Sequence, residues 1–190
     1  MAQLPWHPFI HQSFESARLT DLAGTNESVF YGPYTRLLYT LFSLDGPFEI
    51  VPQYKEMQLD TQDSIDFVTV FLVELNRHPV FFLEVKPPAS LHLDSKREDA
   101  DKQMRRRVRD LRANLAIPTL HGISAFGTRL CFYRYEKESR QLQPLTIQPD
   151  LNFLTDVAPA NLWNFDVLEA EGANRLRAVV DHVKQMCAQI

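Results

Sequence analysis

Glu84 and Lys86 stand two residues apart near the end of an apolar run, Val80 to Pro88 (VFFLEVKPP). Strand side chains alternate, so Phe81, Leu83 and Val85 share one face while Phe82, Glu84 and Lys86 share the other. A run this apolar is expected to be covered on both faces, where an ion is costly unless paired, hydrogen-bonded or holding a metal. A further acid, Asp66, opens the preceding apolar run, Ile65 to Glu74 (IDFVTVFLVE). Asp60 and Asp63 are rivals for its role, and Asp66 is preferred because it begins the strand. Two carboxylates on neighbouring strands offer hard oxygen ligands to a magnesium ion, which offsets their repulsion. An ammonium beside them can orient an attacking water or stabilise charge developing on a phosphoryl group. The chemistry these types suit is phosphodiester hydrolysis.

The elements that must position them follow from punctuation and periodicity. Leu75 to Pro79 is a short connection, so the two runs are expected to form an antiparallel hairpin turning near Asn76. That would set Asp66 across from Glu84 to Lys86, to within a residue or two. Before the hairpin, Thr25-Asn26 can cap a helix in which Glu27 favours the positive end, and Gly32-Pro33 can break it or start a second one. Phe48 to Met57 reads as an irregular first strand, with Pro52 marking an edge or bulge. After Pro87-Pro88 and a polar loop, a helix is predicted from Glu98 to Leu115, because Met104, Val108, Leu111 and Leu115 form a stripe. Gly122 to Glu136 reads as two strands around Gly127-Thr128 or one bent strand, and Gln141 to Gln148 as another. A helix over 172–188 closes the chain. Residues 1–25 show no clear periodicity and are expected to form an irregular arm or short helix.

An Asp opening one strand, Glu-x-Lys near the end of the next and a basic helix beyond resemble the PD-(D/E)XK nuclease superfamily. The resemblance covers roughly Glu27 to Tyr135. It implies an α/β fold, a mixed central sheet flanked by helices with a restriction-endonuclease-like core, in one domain over 1–190. It further implies that Asp66 and Glu84 bind Mg2+ or Mn2+ and that Lys86 positions or activates the attacking water. Glu27 would be an additional metal-site acid, and Gln103 would match a helical Gln of some branches. The proline that precedes the Asp in the family's name is replaced here by Ile65.

The same residues allow plainer readings. Glu-x-Lys on one face also describes a strand-end ion pair with Lys86 reaching to water. Asp66, the hairpin and the Gln103 helix tip the balance toward a nuclease-type site. Glu27 could serve only the helix dipole, and Gln103 could merely flank the core. Six of the 20 Lys and Arg fall between Lys102 and Arg112 in a chain of net charge −4. Such clustering is rewarded on a phosphate backbone, and Lys102, Arg105, Arg106 and Arg109 avoid the apolar stripe best. A solvated face balanced by Glu98, Asp99, Asp101 and Asp110 is the alternative.

Composition bounds the rest. At 190 residues, 45% hydrophobic and 23% charged, the chain suits one folded domain. The acidic balance means that any nucleic-acid surface must be a local patch. Cys131 and Cys187 are expected to be reduced and buried, and the six histidines show no zinc spacing. No stretch approaches a membrane span, so the protein is expected to be intracellular, in cytoplasm or nucleus. P-loop, nucleophile-elbow and protein-kinase signatures are lacking. Nucleic acid, DNA first, is the expected partner, with room for a homodimer. A nuclease-fold module that binds or assembles without turnover is the competing class.

Overall fold

The computed structural model describes residues 5–51, 70–150, 152–153 and 155–190. Four α-helices are present among them, α1 (Pro8–Thr20), α2 (Tyr31–Phe42), α3 (Asp94–Leu111) and α4 (Ala170–Cys187). They enclose a sheet of β1 (Phe48–Val51), β2 (Val70–Leu75), β3 (His78–Lys86), β4 (Thr119–Phe126), β5 (Arg129–Glu136), β6 (Leu142–Gln143) and β7 (Phe165–Asp166). The strands lie in the order β1 to β6, and β7 shares the outer edge of β5 with β6. Neighbours are antiparallel except β3 and β4, which run parallel because α3 carries the chain back across the sheet. The expected mixed α/β architecture is therefore present.

Alternation along β3 sorts the core into two layers. Phe81, Leu83 and Val85 pack with side chains of α1, α2 and α4, whereas Phe82 packs with Met104 and Val108 of α3. Gly122 on β4 makes room for that second layer. A Cβ there would meet the Phe82 ring at 2.4 Å and Met104 Cε at 3.0 Å. The β2–β3 hairpin turns on Asn76 and Arg77, with φ of 51° and 65°, as a two-residue turn between strongly twisted strands requires. With that turn and a register shift between Val73 and Glu74, Val70 is the residue opposite Glu84. Asp66 was expected opposite that stretch and lies outside the described residues, as do Asp60, Asp63 and the later part of the expected first strand.

Several elements depart from their sequence-based bounds for local reasons. Of the irregular arm or short helix expected over residues 1–25, a helix forms, since α1 starts with Pro8 in its first turn and buries Ile10, Phe14 and Ala17. Asn26 caps only a 3-10 turn, Glu27–Phe30, and Pro33 then sits in the first turn of α2. Helix α3 begins four residues earlier than predicted because buried Arg97 anchors its first turns. Arg97 donates to Ala158 O and Leu91 O and is ion-paired with Asp94 and Asp156. The strand expected over Gln141 to Gln148 ends at Gln143, where a cis peptide to Pro144 redirects the chain. Cys131 and Cys187 are free and buried, and burial pushes the Cys131 thiol up to about 12. Among the described residues no helix is long and apolar enough to cross a membrane.

A histidine pair joins the sheet to α4. His121 Nε2 lies 2.9 Å from His182 Nδ1. Burial, then His182 and the cations Arg134 and Arg175, hold His121 down at about 4. Its pKa in the folded chain is thus below the unfolded value near 6.5, so the unfolded chain takes the proton first as pH falls. Stability should be fully present above pH 6.5 and decline toward pH 4, by roughly 3 kcal/mol from this group. Urea unfolding of wild type and His121→Gln across that window should show a flatter acid limb in the variant. Parallel limbs would remove His121 as the cause.

Candidate functional site

Strand β3 brings its two charged residues to the edge of the α3 layer. Glu84 is only 1% exposed, opposite Val70 on one side and Ser124 on the other. Ser124 is itself buried and accepts a hydrogen bond from Trp163 Nε1 at 3.2 Å. Lys86 Nζ lies 2.7 Å from Glu84 Oε1. Despite that contact, neither Glu84 oxygen has a partner in hydrogen-bonding geometry among the described residues. The ammonium therefore offsets the charge of Glu84, and among the described residues nothing donates to Oε2. An unfilled buried carboxylate oxygen is costly and calls for a cation or donor.

The backbone beneath Lys86 is firmly placed. Its carbonyl accepts from Gly127 N at 3.1 Å, and Tyr34 Oη donates to Gly127 O at 2.7 Å. Gly127 has φ +58°, and a Cβ there would come within 2.6 Å of Pro88 Cγ. Pro87 and Pro88 end the strand, after which Ala89 N donates to Gly24 O at 2.9 Å. The turn that closes β4 and β5 and the loop after α1 thus both hold the chain end that carries Lys86.

Glu27 comes to the same place from a distant part of the chain. Tyr31 Oη donates to its Oε1 at 2.7 Å, while the Tyr31 ring meets Phe71 edge-on. Burial raises the Glu27 pKa; the Tyr31 hydrogen bond and the Lys86 charge lower it, Glu84 raises it, and the net direction is up. Glu27 therefore senses the charges of both Lys86 and Glu84. Tyr31, which leaves one Glu27 oxygen open, was missed in the sequence, although its four-residue spacing from Glu27 on one helical path was the available signal.

The other expected residues divide. Gln103 Oε1 is buried without a hydrogen-bond partner among the described residues, and no hydrogen bond joins it to Glu84 or Lys86. Arg105 is committed to the interior: Nε donates to Asp101 Oδ2 at 2.7 Å and a terminal nitrogen to Pro144 O at 2.9 Å. Lys102, Arg106 and Arg109 are exposed on α3, Lys102 in an ion pair with Glu98. Among the described residues, no group of three or more His, Cys, Asp or Glu side chains could hold a metal ion. Comparison with family models, curated proteins and solved structures finds no match.

The pair makes a stability prediction. Lys86→Met strands the Glu84 charge and should cost about 3–5 kcal/mol in urea unfolding. The double substitution Glu84→Gln with Lys86→Met should recover most of that loss. A single variant within about 1 kcal/mol of wild type would mean that Lys86 is not the counter-charge Glu84 depends on.

Proposed function

We propose that the chain is a metal-dependent nuclease of the PD-(D/E)XK kind, with a restriction-endonuclease-like core, acting on DNA. The observation that carries this reading is Glu84: a carboxylate withdrawn from water at a strand end, contacted by Lys86, with an unfilled oxygen and a second acid, Glu27, beside it. Element order supports it. Two antiparallel strands lead into the strand bearing Glu84 and Lys86, and a helix then crosses to a parallel strand. An intracellular location, cytoplasm or nucleus, belongs to the same reading.

The donor set fits a hard divalent ion. Magnesium takes one or two carboxylates and keeps several waters, so Glu84 and Glu27 suffice at a minimum, with Asp66 as the expected further ligand. When bound, Mg2+ or Mn2+ would supply Lewis acidity toward the phosphoryl group. Glu84 would contribute Oε2, and Glu27 the oxygen that Tyr31 leaves open. Lys86, whose backbone is fixed by Gly127, would place its ammonium against a phosphate oxygen or the attacking water. Gln103, with an unsatisfied amide oxygen, could accept a hydrogen bond from that water. Lys102, Arg106 and Arg109 would meet the phosphate backbone, whereas Arg105 would act by holding α3 to the chain near Pro144. A homodimer would present two such sites to the two strands of a duplex.

A second reading is a nuclease-fold module that binds or assembles without turnover, and the 2.7 Å contact of Lys86 with Glu84 favours it, because the ammonium already provides a counter-charge. Cleavage of single-stranded DNA, duplex DNA and RNA with magnesium or manganese separates the two. The enzyme reading expects metal-dependent cleavage that drops at least about 100-fold in Glu84→Gln, Lys86→Ala and Asp66→Asn. Cleavage unchanged by these substitutions would sink the assigned site. Metal-independent, salt-sensitive binding without cleavage would instead establish the module. In either case, neutralising Lys102 and Arg109 should each lower the salt slope of binding by about 1.

A further inference from the structure

The outer edge of β5 carries a notch whose chemistry suits a planar heterocycle. Strand β7 pairs with Arg129 and Leu130, and β6 pairs with Arg134 and Tyr135, so residues 131–133 lie between them with no strand partner on that outer edge. Two hydrogen bonds fix which backbone groups face outward there. Val167 N donates to Thr128 O, and Glu136 N donates to Gln141 O. Thr128 and Glu136 thus turn their polar groups toward the outer edge, and strand alternation extends this to Phe132. The unbroken register of β4 with β5, from Phe126↔Arg129 to Thr119↔Glu136, keeps that alternation intact. Among the described residues, nothing bonds to the Phe132 N–H or C=O on that side.

A cavity of about 480 Å³ opens at this point. Phe165, Glu171 and Arg175 line it from the α4 side, Leu162 and Pro144 from the α3 side. Arg175 lies over the Phe132 ring, 5.7 Å from its centroid. We propose that this notch binds an unpaired nucleobase of a nucleic-acid strand. The outward N–H and C=O of one residue match the adjacent acceptor and donor on the edge of a lactam or amidine ring, which every nucleobase presents. A ring paired in this way lies near the plane of the sheet, with its two faces against the apolar walls of the two layers. Glu171 accepts from an exocyclic amino group or ring N–H, and Arg175 offers a guanidinium to the attached phosphate. A through-running peptide strand fits less well, because β6 and β7 leave only one outward-facing residue between them.

Leu83, Ile123 and Phe132 are in register across three strands, so the notch lies about 10 Å from β3 along the sheet. A base held there would belong to the same single-stranded segment as the site at Glu84. That link to a polymer rests on the nuclease reading; recognition of the base does not.

The test is amide-shift titration of the isotope-labelled full chain with AMP, CMP, GMP and UMP, with ribose 5-phosphate and N-acetylglycinamide as controls. At least one nucleotide should give saturable shifts centred on Phe132 at millimolar concentration. Phe132→Pro removes the outward N–H without removing a bond to β4, and Phe132→Ala keeps that donor while losing the ring. The proline variant should bind about tenfold more weakly than the alanine variant. Should the proline variant fail to fold, Arg175→Gln should weaken nucleotide binding by a similar factor. No saturable shift, equal shifts from ribose 5-phosphate, or binding of N-acetylglycinamide as tight as the nucleotides would overturn the proposal. Base binding by an unaltered chain that cleaves no nucleic acid would count against the enzyme reading alone. Retained cleavage with no base binding would count against the notch alone.

Discussion

A carboxylate removed from water has to be answered by positive charge or by donors, and Glu84 sets that demand at the end of β3. Lys86 meets part of it in charge but not in hydrogen-bond geometry, since both carboxylate oxygens stay unfilled among the described residues. Burying an ion pair is not in itself a source of stability, because desolvation consumes much of the attraction. Replacing the pair by apolar side chains would serve a purely structural core at least as well. The pair therefore adds little net stability, although removing either partner alone would leave an uncompensated buried charge.

The backbone around the pair is held from several sides. Lys86 is tied through its backbone to Gly127, Gly127 to Tyr34, and Ala89 to Gly24, so three other chain segments brace the strand end. Glu27 is oriented by Tyr31, whose ring rests against Phe71 on the neighbouring strand. A carboxylate and an ammonium on long side chains lose little pre-organisation when their backbones are fixed in this way. The parallel β3–β4 pair is what allows α3 to cover the face that holds Glu84, because a parallel neighbour demands a crossover of this length.

Alternation was the most legible property of the sequence. It separated Phe81, Leu83 and Val85 from Phe82, Glu84 and Lys86, and the two core layers divide in the same way. Asn76 marked the hairpin turn, Gly127-Thr128 the next one, and Pro33 the start of α2, each because a specific backbone conformation needs such a residue. The register of the hairpin was not legible, since a bulge between Val73 and Glu74 leaves no trace in composition. The electrostatic influence of Lys86 on Glu27 was not legible either, because it acts between elements far apart in the sequence. The N-terminal helix was one of two readings left open, because its prolines and aromatics show no clear periodicity, although Pro8 at a first turn is permissive rather than disruptive.

The basic helix shows why counting charges along a sequence overstates a surface. Arg97 and Arg105 are cations that α3 spends on its own interior, Arg97 joining the segment around Asp156 and Ala158, Arg105 joining Asp101 and the chain at Pro144. Asp101 then also accepts from Tyr133 Oη at 2.9 Å, so helix, sheet and the segment after β6 share one polar junction. Such a junction fixes α3 over the α3 face of the sheet with directional bonds, which apolar packing alone would not supply. It also fixes where the chain leaves β6, and hence the width of the gap opposite Phe132. The arginines that face inward thus shape the molecule, and the helix presents to solvent only those left outside, such as Arg109.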